Sequence, residues 1–169
     1  MNNLKVSLVS FTKDHVGLTF QWVSDPEFRH IFLMRGEPSW EEHQAYFERV
    51  LTDPSQHIYA VLSESVHVGN GGLKNISISK KEGELWIYIG DPTKRGKGIS
   101  KYATELLLRE GFEVLGFERI YLHVAEFNTV ALRLYKRFGF IEVSVLGDED
   151  EWTNRESKVL RMELRKTMI

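Results

Sequence analysis

The chain has 169 residues, of which 42% are hydrophobic and 27% charged, and 22 Lys and Arg against 24 Asp and Glu give a net charge of −2. At roughly 150 residues per domain this predicts one domain over residues 1–169, with a composition that excludes disorder and a strongly basic nucleic-acid binder. With no cysteine and no stretch beyond ten residues free of Asp, Glu, Lys and Arg, it has no disulfide, thiolate metal site, cysteine nucleophile or membrane span, and with no signal pattern in Met1 to Val9 the expectation is cytoplasmic.

Leu4 to Phe11 reads as a strand. Apolar Val16, Leu18, Phe20 and Trp22 predict a helix from about Lys13 to Ser24, with Asp25–Pro26 as its stop. Ser39-Trp40-Glu41-Glu42 has the form of a capping box. Tyr46, Phe47, Val50 and Leu51 follow at helical spacing until Asp53–Pro54 ends that helix. Ile58 to Leu62 and Val66 to Leu73 are β-type runs. Leu85 to Ile89 is apolar at every position, so that strand is expected to be covered on both faces. A helix from Ser100 to Leu115, a strand from Arg119 to Val124 and a helix from Thr129 to Phe138 come next. Strands Phe140 to Val145 and Lys158 to Leu164 close the chain, with the acidic Asp148 to Glu151 between them as a solvated loop. The order β-α-α-β-β-β-α-β-α-β-β implies an α/β or α+β fold with one mixed sheet.

Chemistry concentrates between Gly90 and Ser100, where a buried strand runs into a helix. Gly96 and Gly98, one residue apart, permit close backbone approach and unusual dihedrals. N–H groups are free at the helix N-terminus, where the dipole favours an anion. Lys94, Arg95, Lys97 and Lys101 add positive charge, with no acidic residue between Pro92 and Ala103. The pattern suits a diphosphate. It is neither the dinucleotide fingerprint Gly-x-Gly-x-x-Gly nor the Gly-Lys-Ser/Thr loop of triphosphate binders.

Arg95-Gly96-Lys97-Gly98-Ile99-Ser100 resembles the Gln/Arg-x-x-Gly-x-Gly/Ala signature of the GNAT superfamily of acetyl-CoA-dependent N-acetyltransferases, with Ser100 in place of Gly or Ala. A second segment, Asn128 to Phe140, is similar to that family's Asn-x-x-Ala-x-x-Leu-Tyr-x-x-x-Gly-Phe at every fixed position. The resemblance implies a GNAT-like acyl-CoA N-acyltransferase fold: a mostly antiparallel sheet flanked by helices. It implies that the two central strands splay and that the pantetheine arm of acetyl-CoA lies between them. Backbone groups of Tyr88, Ile89 and Gly90 would then pair with that arm. The N–H groups of Arg95, Gly96, Lys97, Gly98, Ile99 and Ser100 would hold the pyrophosphate, and Asn128 and Ala131 would border the cofactor.

The implied chemistry is direct attack of a neutral amine on the thioester, with no acyl-enzyme and no metal. It needs an acid for the leaving thiolate. The resemblance assigns that role to Tyr135. The candidate bases are Glu84, at the start of the strand before the loop, and Glu126, after Val124. A water relay is a further option. His123 reads as a structural residue of its strand, and the six histidines show no metal-ligand spacing.

The acceptor side, on the resemblance, comes from the first helices, their loop and the last strands, which hold Trp22, Phe28, His30, Phe32, Met34, Trp40, Tyr46 and Trp152, with Arg29 and Arg35 among them. Aromatic faces with Arg suit a sugar or a nucleotide diphosphate. Gly69-Asn70-Gly71-Gly72-Leu73 before a Glu-Leu-Trp-Ile-Tyr strand looks like the acetyltransferases of nucleotide-linked 4-amino sugars, such as those of the pseudaminic acid pathway. The expected acceptor is therefore a small-molecule amine, first an amino sugar, with polyamines, antibiotics and amino acids open. The alternatives are an N-terminal acetyltransferase of a ribosomal or other protein and a non-catalytic acetyl-CoA sensor. Neither nucleic acid nor membrane is an expected partner. A homodimer is, since many relatives are dimers.

Overall fold

The computed structural model describes residues 3–34, 36–145 and 157–168. Seven strands, β1 (Val6–Ser10), β2 (His57–Ser63), β3 (Val66–Ser77), β4 (Glu82–Ile89), β5 (Arg119–Ala125), β6 (Ile141–Val145) and β7 (Val159–Arg165), form one sheet in the order β1-β2-β3-β4-β5-β7-β6. Neighbours are antiparallel except β4 and β5, which are parallel. The helices are α1 (Val16–Val23), α2 (Pro26–Ile31), α3 (Trp40–Val50), α4 (Ile99–Arg109) and α5 (Thr129–Phe138). This is the mostly antiparallel, helix-flanked sheet expected of the GNAT fold.

Local chemistry sets the helix starts. The Ser39 hydroxyl accepts from the Glu42 N–H at 3.2 Å, and the Glu42 carboxylate accepts from the Ser39 N–H at 3.0 Å, so the capping box opens α3. The stretch from Lys13 to Ser24 is a 3-10 turn, Lys13–His15, capped by Thr12 and followed by α1. Asp25–Pro26 does more than stop that helix. The Asp25 carboxylate accepts from the Glu27 N–H at 2.9 Å, and Pro26 takes the first position of α2. Proline is at home there because that position has no intrahelical partner for its missing N–H.

β4 is apolar throughout its second half because it lies between two cores. Leu85 and Ile87 face a cluster with Leu73, Leu107, Ile120, Leu122 and Met162, which α4 and α5 cover. Trp86 packs against Phe11, Phe47 and Ile58, and Tyr88 against Trp22 and Phe28, beneath α1, α2 and α3. β4 also begins earlier than its apolar run. Glu82 is carried into the sheet by Arg119, whose Nε donates to its carboxylate at 2.7 Å.

Candidate active site

Asp91 shapes the turn after β4. Its Oδ1 accepts from the N–H and hydroxyl of Thr93 at 2.9 and 2.7 Å. Gly96 and Gly98 then adopt φ of +72° and +82°, and Gly98 starts α4. A side chain at either would meet open space, so glycine is required there by backbone conformation and not by crowding. Among the described residues, no acceptor meets the N–H groups of residues 95–101. Seven N–H groups around a helix N-terminus make an anion cradle. Lys97 and Lys101 are exposed beside it. Arg95 points elsewhere: its Nε donates to Ile89 O at 3.0 Å and its Nη2 to Gly90 O at 3.4 Å. Its backbone belongs to the cradle while its guanidinium braces the end of β4.

Beyond the cradle the sheet forks. β4 pairs with β5 only at Glu82, Gly83 and Glu84, opposite Arg119, Ile120 and Tyr121. The Gly90 N–H bonds Val68 O at 2.9 Å. In an alternating ladder this turns the backbone groups of Tyr88 and Gly90 towards β3 and those of Ile87 and Ile89 towards the gap. Of the three residues expected to pair with pantetheine, only Ile89 faces the gap, and its carbonyl already holds Arg95. Asn128 caps α5, its Oδ1 accepting from the Ala131 N–H at 3.2 Å, so that oxygen and that N–H satisfy each other. Ser100 lies in the first turn of α4, beside the cradle.

Tyr135 is buried in the core beneath α5, its ring 5.8 Å from that of Phe140. Its hydroxyl has no hydrogen bond among the described residues. Burial pushes its pKa up to about 12, so the phenol stays protonated and able to donate.

Glu84, the last β4 residue paired with β5, is 3% exposed. Its carboxylate meets His123 Nδ1 at 2.6 Å, Asn75 Nδ2 at 2.8 Å and Lys74 Nζ at 4.0 Å. Burial alone would raise its pKa. The His123 hydrogen bond, the Lys74 charge and the Asn75 amide outweigh that and hold it below the ordinary carboxylate value. His123 therefore has a carboxylate partner that sequence spacing could not reveal. Glu126 is exposed beyond β5, and with Phe127, Ser157 and Lys158 it lines a cavity of about 330 Å³.

On the expected acceptor side, Trp22 and Phe28 are buried and Phe32 is half-buried, so this group is largely core around Tyr88. Trp40, Tyr46 and Met34 are exposed, and His30 stacks on Phe127 at 5.4 Å. The Arg29 guanidinium donates to Val23 O and Ser24 O at 3.1 and 2.9 Å, closing the end of α1. Arg35, Trp152 and the Asp148 to Glu151 run lie outside the described residues. No described helix is long and apolar enough to cross a membrane, and no three His, Asp or Glu among the described residues gather as metal ligands.

A model of the acetyltransferase (GNAT) domain matches residues 5–141. The N-acetyltransferase 9-like protein of Caenorhabditis briggsae is 29% identical over 155 residues, covering 83% of this chain and 76% of that protein. Spermidine N(1)-acetyltransferase of Vibrio cholerae is 29% identical over 125 residues, 73% and 72% of the two chains. The crystal structure of spermidine N-acetyltransferase from Vibrio cholerae in complex with CoA and spermine has a TM-score of 0.87 to this fold, at 22% identity over 96% of each chain.

Proposed function

The chain belongs to the GNAT acetyltransferase family, and from that membership we propose that residues 1–169 form one cytoplasmic catalytic domain that moves an acetyl group from acetyl-CoA directly to a primary amine of a small molecule. The observation that carries the reading is a row of unpaired N–H groups at 95–101 leading to a fork in the sheet, with a protonated phenol packed on the same side of the sheet as α4. The residues fit the cofactor, because a diphosphate needs the donors the cradle presents. Acetyl-CoA bound there supplies the activated acetyl thioester. Ile87 and Ile89 present backbone groups along the gap, and Tyr135 holds a proton for the departing sulfur.

For the acceptor we place an aliphatic di- or polyamine ahead of a nucleotide-linked amino sugar. A nucleotide diphosphate needs free cations on the acceptor side, and Arg29 is committed to the Val23 and Ser24 carbonyls at the end of α1. The similarity to spermidine acetyltransferases supports the amine class. A protein N-terminus is the second reading, favoured by the similarity to the N-acetyltransferase 9-like protein. Self-association belongs to the same proposal: β6 is an edge strand with Ile141, Val143 and Val145 exposed.

Release of CoA thiol, measured with acetyl-CoA against spermidine, spermine, a nucleotide-linked 4-amino sugar and N-terminal peptides, tests the reading. Preferential turnover of the polyamines is the expected result. Preference for the peptides selects the second reading. Tight CoA binding with no turnover by any amine defeats catalysis and leaves a sensor.

A further inference from the structure

Hydroxyl side chains in helices ordinarily turn back to a carbonyl of the preceding turn. Thr19 and Ser24 do so at α1, donating to His15 O at 2.8 Å and to Phe20 O at 2.7 Å. Thr104, in the middle of α4, does not. It is fully buried, and among the described residues its Oγ1 is the one buried side-chain polar atom with no hydrogen-bond partner. An unpaired buried hydroxyl is destabilising and calls for an explanation.

The two flanks of α4 fix where Thr104 stands. Ile99 and Ala103 pack on Val61, Val68 and Ile89, towards β2, β3 and the end of β4. Leu108 packs in the cluster of Ile120, Leu122, Val124 and Tyr135, and a Cβ at Gly111 would meet Ile120 of β5. Ser100, Thr104, Leu108 and Gly111 recur at the spacing of one helical stripe. That stripe runs from the cradle along the flank of α4 that faces β5. Its neighbours also set the level of Thr104 along the sheet. Ala103 packs with Ile89, and a Cβ at Gly71, the register partner of Ile87, would meet Leu107. Ile87 and Ile89 both lie beyond Glu84, the last β4 residue paired with β5. Thr104 is therefore level with the open part of the fork, one turn or about 6 Å past Ser100.

We propose that Thr104 is a cofactor-binding residue whose hydroxyl hydrogen-bonds an amide of the pantetheine arm of acetyl-CoA; this rests on the acetyl-transfer reading above. On that reading the diphosphate belongs to the cradle and the thioester to the neighbourhood of Tyr135, and the arm joins them through the fork that Thr104 borders. An amide taken out of water needs hydrogen-bond partners, and a hydroxyl both donates and accepts. The other side chains at this level, Ile87, Ile89, Ala103 and Leu108, are apolar. The Ile89 carbonyl is already held by Arg95, so Thr104 adds a polar contact that this part of β4 does not supply. Fully buried, the hydroxyl has no solvent to turn to, and a group entering between α4 and β5 is what reaches it.

Thr104→Val keeps the shape of the side chain and removes the hydroxyl. The experiment combines calorimetric titration with CoA, titration with ADP, which has a diphosphate but no arm, and thermal melting of the free protein. The free variant should melt as high as wild type or about 2–4 °C higher, because an unpaired buried hydroxyl is gone. Its Kd for CoA should rise about fivefold while its Kd for ADP stays near wild type. Thr104→Ser, which keeps the hydroxyl, should bind CoA about as wild type does. A lower melting temperature in Thr104→Val would show that the hydroxyl has a partner in the free protein, and would overturn the role. An unchanged CoA affinity, or an equal loss for CoA and ADP, overturns it too. A wild-type protein that does not bind CoA overturns the acetyl-transfer reading itself, and this role with it.

Discussion

The indole of Trp22 lies against Gly90 so closely that a Cβ at residue 90 would overlap its ring. One residue comes from α1 and the other directly follows β4, on the turn that leads to the cradle, so α1 rests against that turn. Gly90→Ala should lower stability by about 1–3 kcal/mol and raise KM for acetyl-CoA. Trp22→Leu in the same chain should recover part of the loss. A double-mutant cycle in urea measures this. The expected coupling is about 1 kcal/mol or more, and additive losses would show that the contact does not matter.

Tyr135→Phe removes a hydroxyl with no hydrogen bond among the described residues and leaves the ring against Phe140. Folding stability and acetyl-CoA affinity should therefore stay near wild type, while kcat falls by about 100-fold. Calorimetric binding beside single-turnover rates separates the two. An unchanged chemical step would remove Tyr135 from the role.

The cradle was legible in the sequence because its chemistry is written locally. Gly96 and Gly98 are needed for their own dihedrals, and the Asn128 to Phe140 segment is one continuous helix and its stop. Glu84 and His123 were not legible as a pair. They lie 39 residues apart, and only the registers Lys74 to Glu84 and Glu84 to Tyr121 bring them and Asn75 together. Arg95 shows the same limit in another way. Sequence counts its charge with the phosphate cations, but the direction of its guanidinium depends on where β4 ends. Pro26 was legible as a helix breaker, yet Asp25 in front of it turned the break into a start.

Gly98→Ala tests the cradle without crowding it. The new methyl meets open space but must hold φ near +82°, which costs an L residue about 1–2 kcal/mol. Relaxation of that strain turns the neighbouring N–H groups out of convergence. KM for acetyl-CoA should rise roughly five- to tenfold with kcat nearly unchanged, since 1.4 kcal/mol is a factor of ten. A fall in kcat at constant KM would place the loop in the chemical step instead.

Glu84 also ties folding to pH. Its folded pKa is depressed below the ordinary value of 4.5, against the effect of burial, by His123, Lys74 and Asn75. As pH falls through that ordinary value the unfolded carboxyl takes up its proton first, so the unfolded state binds more protons and stability drops with falling pH. The stabilisation is fully present above the unfolded value and is lost as pH passes down through the folded one. Asp53 and Asp91, whose hydroxyl and amide donors also hold them low, contribute to the same slope in every variant. Comparing unfolding free energies of wild type and Glu84→Gln from pH 6 down to pH 3 cancels them. The wild-type curve should fall more steeply below about pH 4.5, and the two should converge towards the acid end. Parallel curves would mean that the carboxylate draws no net stability from its two hydrogen-bond donors, His123 and Asn75, and the Lys74 charge.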